Sequence, residues 1–223
     1  MKLQSKEYQY FRAAVLFSTM LAVLLSIFVA IYGKDQSFLM INGNHSPQAD
    51  YFFNYFTYLG DGLIWVPIFL YTLLYRRDFF IAVLAALIIC TFITHFGKRV
   101  IFEGTPRPLR LLEDTARAVP LMTGRDAYSN SFPSGHTSTA FTFALLFNYM
   151  VKRKFAVYLF PLIAFLVGYS RVYLAQHFVT DVLAGTVIGI VSSYLALVIY
   201  DRYRKKKRKS QTEATASVSS PTR

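Results

Sequence analysis

Apolar runs recur along the chain and set its plan. They cover residues 13–32, 62–75, 79–96, 137–151, 155–169 and 178–200. A bilayer core of roughly 30 Å is crossed by about 20 apolar residues in a helix. A helix is needed because the hydrocarbon offers no water to satisfy backbone polar groups. The longest runs reach that length, whereas 62–75, 137–151 and 155–169 also suit helices buried in a soluble core. Together the runs predict an all-α polytopic membrane bundle of about six transmembrane helices. One membrane domain is expected over residues 1–209, followed by a disordered cytoplasmic tail at 210–223 that is rich in Ser and Thr.

Composition supports lipid as the solvent, since 54% hydrophobic residues in a chain of 223 exceeds the share in ordinary soluble domains. Charge then predicts orientation, because Lys and Arg near span ends tend to stay cytoplasmic. Four clusters fall on one side of the predicted layout: Lys2, Lys6 and Arg12; Arg76 and Arg77; Lys152, Arg153 and Lys154; and Arg202 with 204–209. With an even number of spans, both termini are expected in the cytoplasm. Connections 33–61, 97–136 and 170–177 are then expected outside a multi-pass cell (inner) membrane. The basic start and first apolar run resemble a signal peptide, but the run's length and the lack of a small-residue cleavage site point to a retained anchor.

The formal charge of +12 raises nucleic acid as a partner, but much of it sits in the basic tail, beside a membrane. That position fits contact with anionic lipid headgroups, or an orientation signal alone, and no nucleic acid partner is expected. The single cysteine, Cys90, lies inside an apolar run and excludes an intrachain disulfide.

Candidate chemistry collects in the outer connections. Ser170-Arg171 is followed by five residues, His177, three more and Asp181. His177 and Asp181 share one face of a predicted helix start, and ionisable groups near a bilayer seek partners or ligands. A buried ion network pinning two helices is the plainer reading. Pro133-Ser134-Gly135-His136 immediately precedes an apolar helix, placing free backbone N–H groups and a partial positive charge at its start. An ordinary helix cap has the same appearance. Lys98 and Arg99, then Arg107-Pro108, run against the positive-inside trend and suit phosphate, although snorkelling side chains are equally compatible. Of the remaining histidines, His45 and His95 lie outside these clusters, and the aromatic stretch 51–58 between Asp50 and Asp61 reads as an interfacial belt.

The order of the three clusters resembles the three-part signature of the type 2 phosphatidic acid phosphatase family. Pro133 to His136 match its second part, and Ser170, Arg171, His177 and Asp181 its third, in residue type and spacing. The first part departs: eight residues separate Lys98 from Arg107, more than the family usually has, and Arg99 is an alternative to Lys98. The resemblance implies a metal-independent membrane lipid phosphatase with no cofactor. By the same resemblance His177 is the nucleophile, Asp181 orients it, and His136 is the general acid. Lys98, Arg107, Ser134, Gly135 and Arg171 would hold the phosphate. Expected substrates are undecaprenyl diphosphate, phosphatidylglycerol phosphate, phosphatidate or a lipid A phosphate. A lipid phosphotransferase and a non-catalytic lipid-phosphate transporter are the alternatives.

Overall fold

The computed structural model describes residues 6–112, 114–117 and 128–218, the side chains of 214–218 excepted. Among the described residues it is helical without strands. Helix α1 is Lys6–Tyr32, α2 Lys34–Asn42 and α3 Pro47–Phe56; two 3₁₀ turns, Thr57–Gly60 and Gly62–Ile64, lead into α4, Trp65–Tyr75. Then come α5 (Phe80–Phe96), a π-helical turn (Gly97–Ile101), α6 (Pro108–Leu111), α7 (Gly135–Val151), α8 (Ala156–Tyr173) and α9 (Val179–Val218).

Four helices are long and apolar enough to cross a membrane: Lys6–Tyr32, Phe80–Ile101, Ala156–Tyr173 and Val179–Glu213. A fifth crossing arises if the pair Pro47–Gly60 and Gly62–Tyr75, bent by 53°, is one broken span. Against the expected six, the helices that qualify by length and composition among the described residues number four, or five with the bent pair. Two runs account for the difference. The 62–75 run yields an α4 of only 11 residues, and α7, at 17 residues, is the enclosed centre of the bundle. Helix α9 continues past residue 209 to Val218 without a break; residues 219–223 lie outside the described residues.

Helix α7 is the axle, packing against α1, α5, α8 and α9. It stays buried despite its hydroxyls because they bond to the helix's own carbonyls: Ser138 Oγ to Ser134 O at 2.8 Å and Thr142 Oγ1 to Ser138 O at 2.7 Å. Aromatic contacts fill the core around it, with Trp65 4.1 Å from Phe143 and Phe79 5.7 Å from Tyr149 between ring centroids. On α1, by contrast, Leu16, Leu24 and Ile31 are exposed, as expected of a lipid-facing helix.

The charged clusters at one end are physically joined. Lys152 Nζ lies 2.7 Å from Glu7 Oε1, Tyr8 Oη donates to Asp201 Oδ2 at 2.8 Å, and Tyr200 Oη donates to Asp78 Oδ2 at 3.2 Å. The three sequence motifs gather at the other end.

Helices α7 and α9 approach through glycine. A Cβ on Gly189 would stand 2.5 Å from Phe141 Cβ and 3.0 Å from Ser138 O, whereas one on Gly62 would meet nothing within 4 Å. Gly189→Ala is expected to cost about 1–3 kcal/mol through overpacking. Thermal unfolding in detergent checks this, with Gly62→Ala as the near-neutral control; equal melting of the two variants contradicts the packing argument.

Candidate active site

Helix α7 begins where it does because Ser134 caps it. Its backbone is extended and its Oγ accepts from Thr137 N at 3.4 Å while sharing a 2.8 Å hydrogen bond with Thr137 Oγ1. Ser134 N donates to Asp181 O at 3.0 Å, which ties the start of α7 to the first turn of α9. With the Ser134 hydroxyl engaged in the cap, the first-turn N–H groups of Gly135 and His136 carry the anion-binding character of this terminus.

The turn between α8 and α9 folds back on itself. Gln176 N and His177 N both donate to Arg171 O, at 2.9 and 3.1 Å, and Ala175 adopts a left-handed φ of 54° to allow it. That geometry brings the end of α8 and the start of α9 to one point. His177 is 2% exposed, and its Nδ1 lies 3.2 Å from Asp181 Oδ2. The same carboxylate oxygen accepts from Ser131 Oγ at 2.5 Å and Phe178 N at 3.1 Å. Fixing Nδ1 against a carboxylate leaves Nε2 as the nitrogen with a free lone pair. Burial, and then the charges of Arg107, Lys98 and Arg171, hold the His177 imidazole well below its usual pKa, with the Ser131 backbone acting weakly the other way. Burial and the cations both favour the neutral ring.

Each cation is anchored through part of its donor set. Lys98 Nζ donates to Asn130 O at 3.1 Å, and Arg107 Nε donates to Ser129 O at 3.0 Å. The long gap between the two is thus absorbed by the π-helical turn and by Gly104, whose φ is 73°, so that both reach adjacent carbonyls. Arg99 is exposed, so Lys98 is the residue of that pair directed to the site. Arg107 Nη1 also donates to Gln176 O at 3.0 Å and to its Oε1 at 3.1 Å. Arg171, 6% exposed, donates from Nη1 to Thr57 Oγ1 at 2.8 Å, while its buried Nε has no hydrogen-bond partner among the described residues. A buried unpaired donor costs about 1–3 kcal/mol, so an anion accepting from it is favoured. His136, in the first turn of α7, is a quarter exposed, with Nε2 3.5 Å from Asp61 Oδ2.

All the motif residues therefore meet at one end of the bundle. His45 does not join them: its Nδ1 is 2.7 Å from Asp50 Oδ1, in a separate network with Tyr173. Sequence reasoning missed Ser131, Asn130, Gln176 and Thr57. Ser131 was accessible only as one polar residue shortly before Pro133, and Thr57 carried no signal inside its aromatic stretch. Beside His136, α7 turns Ala140 and Ala144 towards a cavity of about 490 Å³, lined also by Leu59, Ile68, Phe143 and Val167.

The family model of the PAP2 superfamily matches residues 79–205. A lipid A 4'-phosphatase of Bacteroides thetaiotaomicron is 31% identical over 168 residues, covering 72% of this chain and 73% of that protein. An undecaprenyl-diphosphatase of Sulfolobus acidocaldarius is 26% identical over 203 residues, covering 87% and 92%. The crystal structure of Aquifex aeolicus LpxE superposes with a TM-score of 0.66 at 32% identity, over 74% of this chain and 94% of that one. A Bacillus subtilis PAP2-type phosphatidylglycerolphosphate phosphatase shares the fold, with a TM-score of 0.57 at 24% identity over 84% and 96%.

Two outcomes follow from the His177 environment. Its depressed pKa means that the folded protein keeps the ring neutral below the usual 6.5, while the unfolded chain takes up a proton there. This contribution to stability is full above pH 6.5 and is lost as pH falls towards the folded value. Nitrogen NMR of labelled imidazole in detergent, assigned with His177→Asn, is expected to show a neutral His177 at pH 6; a protonated ring contradicts it. Ser131→Ala is expected to lower kcat about tenfold, in line with losing one hydrogen bond of about 1.5 kcal/mol to a charged group. Phosphate release at the wild-type rate would remove Ser131 from the site's support.

Proposed function

From the premise that the chain belongs to the PAP2 superfamily and is a multi-pass membrane lipid phosphatase, we propose that the cluster around His177 is its catalytic centre, working through a phosphohistidine at the extracytoplasmic face. The observation that carries this reading is a buried His177 with Nδ1 held by Asp181, beside three cations of which Arg171 keeps an unpartnered Nε.

In this reading Arg171, Arg107, Lys98 and the α7 N-terminus receive the phosphoryl oxygens. His177 Nε2 attacks phosphorus, so that a P–N bond forms as the P–O bond to the lipid breaks, and His136 gives its proton to the departing oxygen. Asp181 stabilises the positive charge that develops on the His177 ring. Water then attacks phosphorus, the P–N bond breaks, and the water's proton passes to His136. Cationic clamping and in-line positioning are the main sources of acceleration for phosphoryl transfer, which suits a site with three fixed cations.

The apolar cavity beside Ala140 and Ala144 suits a lipid tail, since its lining on α7 begins at Ala140, about one turn along that helix from His136. Relatives named lipid A 4'-phosphatase and undecaprenyl-diphosphatase put phosphorylated cell-envelope lipids first among substrates. The basic clusters gathered at the opposite end support a cytoplasmic placement of both termini, and residues 204–209 of α9 are read as touching anionic headgroups there.

Purified protein in detergent with chelator present is expected to release phosphate from at least one of lipid A, undecaprenyl diphosphate, phosphatidylglycerol phosphate and phosphatidate. His177→Ala is expected to abolish it, and the wild type to trap an acid-labile, alkali-stable phosphoryl label. Release by His177→Ala at the wild-type rate sinks the assignment. Ala144→Phe, which fills the cavity, is expected to raise KM for long-tailed substrates by about tenfold, the worth of about 1.4 kcal/mol of apolar contact, and to spare short-tailed ones. Equal KM changes for both tail lengths argue against a tail seat.

A further inference from the structure

Asp61 belongs to none of the three motifs, yet it stands at the break of the bent pair α3–α4, between the two 3₁₀ turns. That break is fastened to the site at three points. Thr57 Oγ1 accepts from Arg171 Nη1 at 2.8 Å. Gly60 lies so close to the start of α7 that a Cβ there would be 2.6 Å from His136 O. Asp61 Oδ2 lies 3.5 Å from His136 Nε2, while its Oδ1 accepts from Leu63 N at 2.9 Å and so fixes the carboxylate's aim.

The surroundings of His136 give this pairing a purpose. Burial first, and then Arg171 from α8, His177 from the α8–α9 turn, Lys98 from the π-helical turn and Arg107 from the start of α6, push the pKa of its ring well below the usual value. Three cations repel a further positive charge, yet a general acid must hold a proton when the ester oxygen departs. Asp181 offers little compensation, since its carboxylate is committed to His177, Ser131 and Phe178 N. Asp61 is the carboxylate that faces His136 among the described residues.

We propose that Asp61 is a positioning residue for catalysis, whose carboxylate offsets that repulsion when His136 carries the proton and aims the ring at the leaving oxygen. The proposal rests on His136 being the general acid. At 3.5 Å the contact is too long for a hydrogen bond, so a proton on Nε2 is not locked to the carboxylate. In the transfer step that proton moves to the lipid oxygen as the P–O bond breaks, leaving a neutral imidazole beside Asp61. When water later attacks the phosphohistidine, its proton returns to the same nitrogen.

Asp61→Asn keeps an oxygen for Leu63 N and removes only the charge, and leaving-group dependence separates positioning from mere structure. A lipid alcohol is a poor leaving group that needs the proton, whereas the diphosphate of the same lipid expels a phosphate ester that needs it less. With general acids contributing about 10²–10⁴-fold, Asp61→Asn is expected to lower kcat on the monophosphate by about 10–100-fold with KM little changed, and to affect the matched diphosphate far less. Asp61→Glu is expected to recover most of the loss, and Asp61→Asn to add nothing in a His136→Ala background. If His136→Ala discriminates between the two substrates while Asp61→Asn lowers both equally, or adds its full effect to His136→Ala, this proposal fails alone. If His136→Ala itself lowers both equally, the general-acid assignment fails and takes the proposal with it.

Discussion

Lys98, Arg107 and Arg171 converge on one carboxylate-bound histidine near a membrane, and like charges at such distances repel unless something offsets them. Asp181 offsets part, and backbone or side-chain oxygens of Asn130, Ser129, Gln176 and Thr57 absorb some of the donors. What remains is an excess of positive potential with an unpartnered Arg171 Nε at its centre. In the proposed function a phosphoryl dianion completes that arrangement, and the surrounding fold holds the cations together for it.

Holding them requires elements distant in sequence to meet at fixed points. Helix α7 supplies the common axle, and its close approach to α9 at Gly185 and Gly189 leaves no room for a Cβ at either position. Ser134 N on Asp181 O and Ser131 Oγ on Asp181 Oδ2 then lock the α7 start to the histidine's own support. The π-helical turn after α5 and the broken α3–α4 pair bring the remaining groups. Irregular backbone appears where the site needs it, at the π-helical turn and at the 3₁₀ turns of the bent pair.

Chemistry and anchoring occupy opposite ends. The ion pairs and tyrosine contacts among Glu7, Lys152, Tyr8, Asp201, Tyr200 and Asp78 tie the basic clusters into a single end. The apolar cavity lies along α7 between the helices, beside the catalytic end, where a lipid held by its phosphate would extend its tail.

The sequence by itself determined the helical class, the apolar runs and the candidate residues Lys98, Arg107, Ser134, Gly135, His136, Arg171, His177 and Asp181. Those readings rest on local chemistry: lipid demands apolar helices, a cap needs Ser134, and His177 with Asp181 needs only a four-residue spacing. Tertiary structure decided between Lys98 and Arg99, because which side chain turns inward depends on the π-helical turn and on Asn130. It also showed which runs form helices long enough to qualify as crossings, since the sequence does not reveal that α4 is the short arm of a bent pair or that α7 stops at 17 residues. Ser131, Thr57 and Asp61 acquired their places only through contacts across 50, 114 and 75 residues of chain, respectively. No local pattern encodes such pairings, because they are set by how the helices pack and not by the residues next to them.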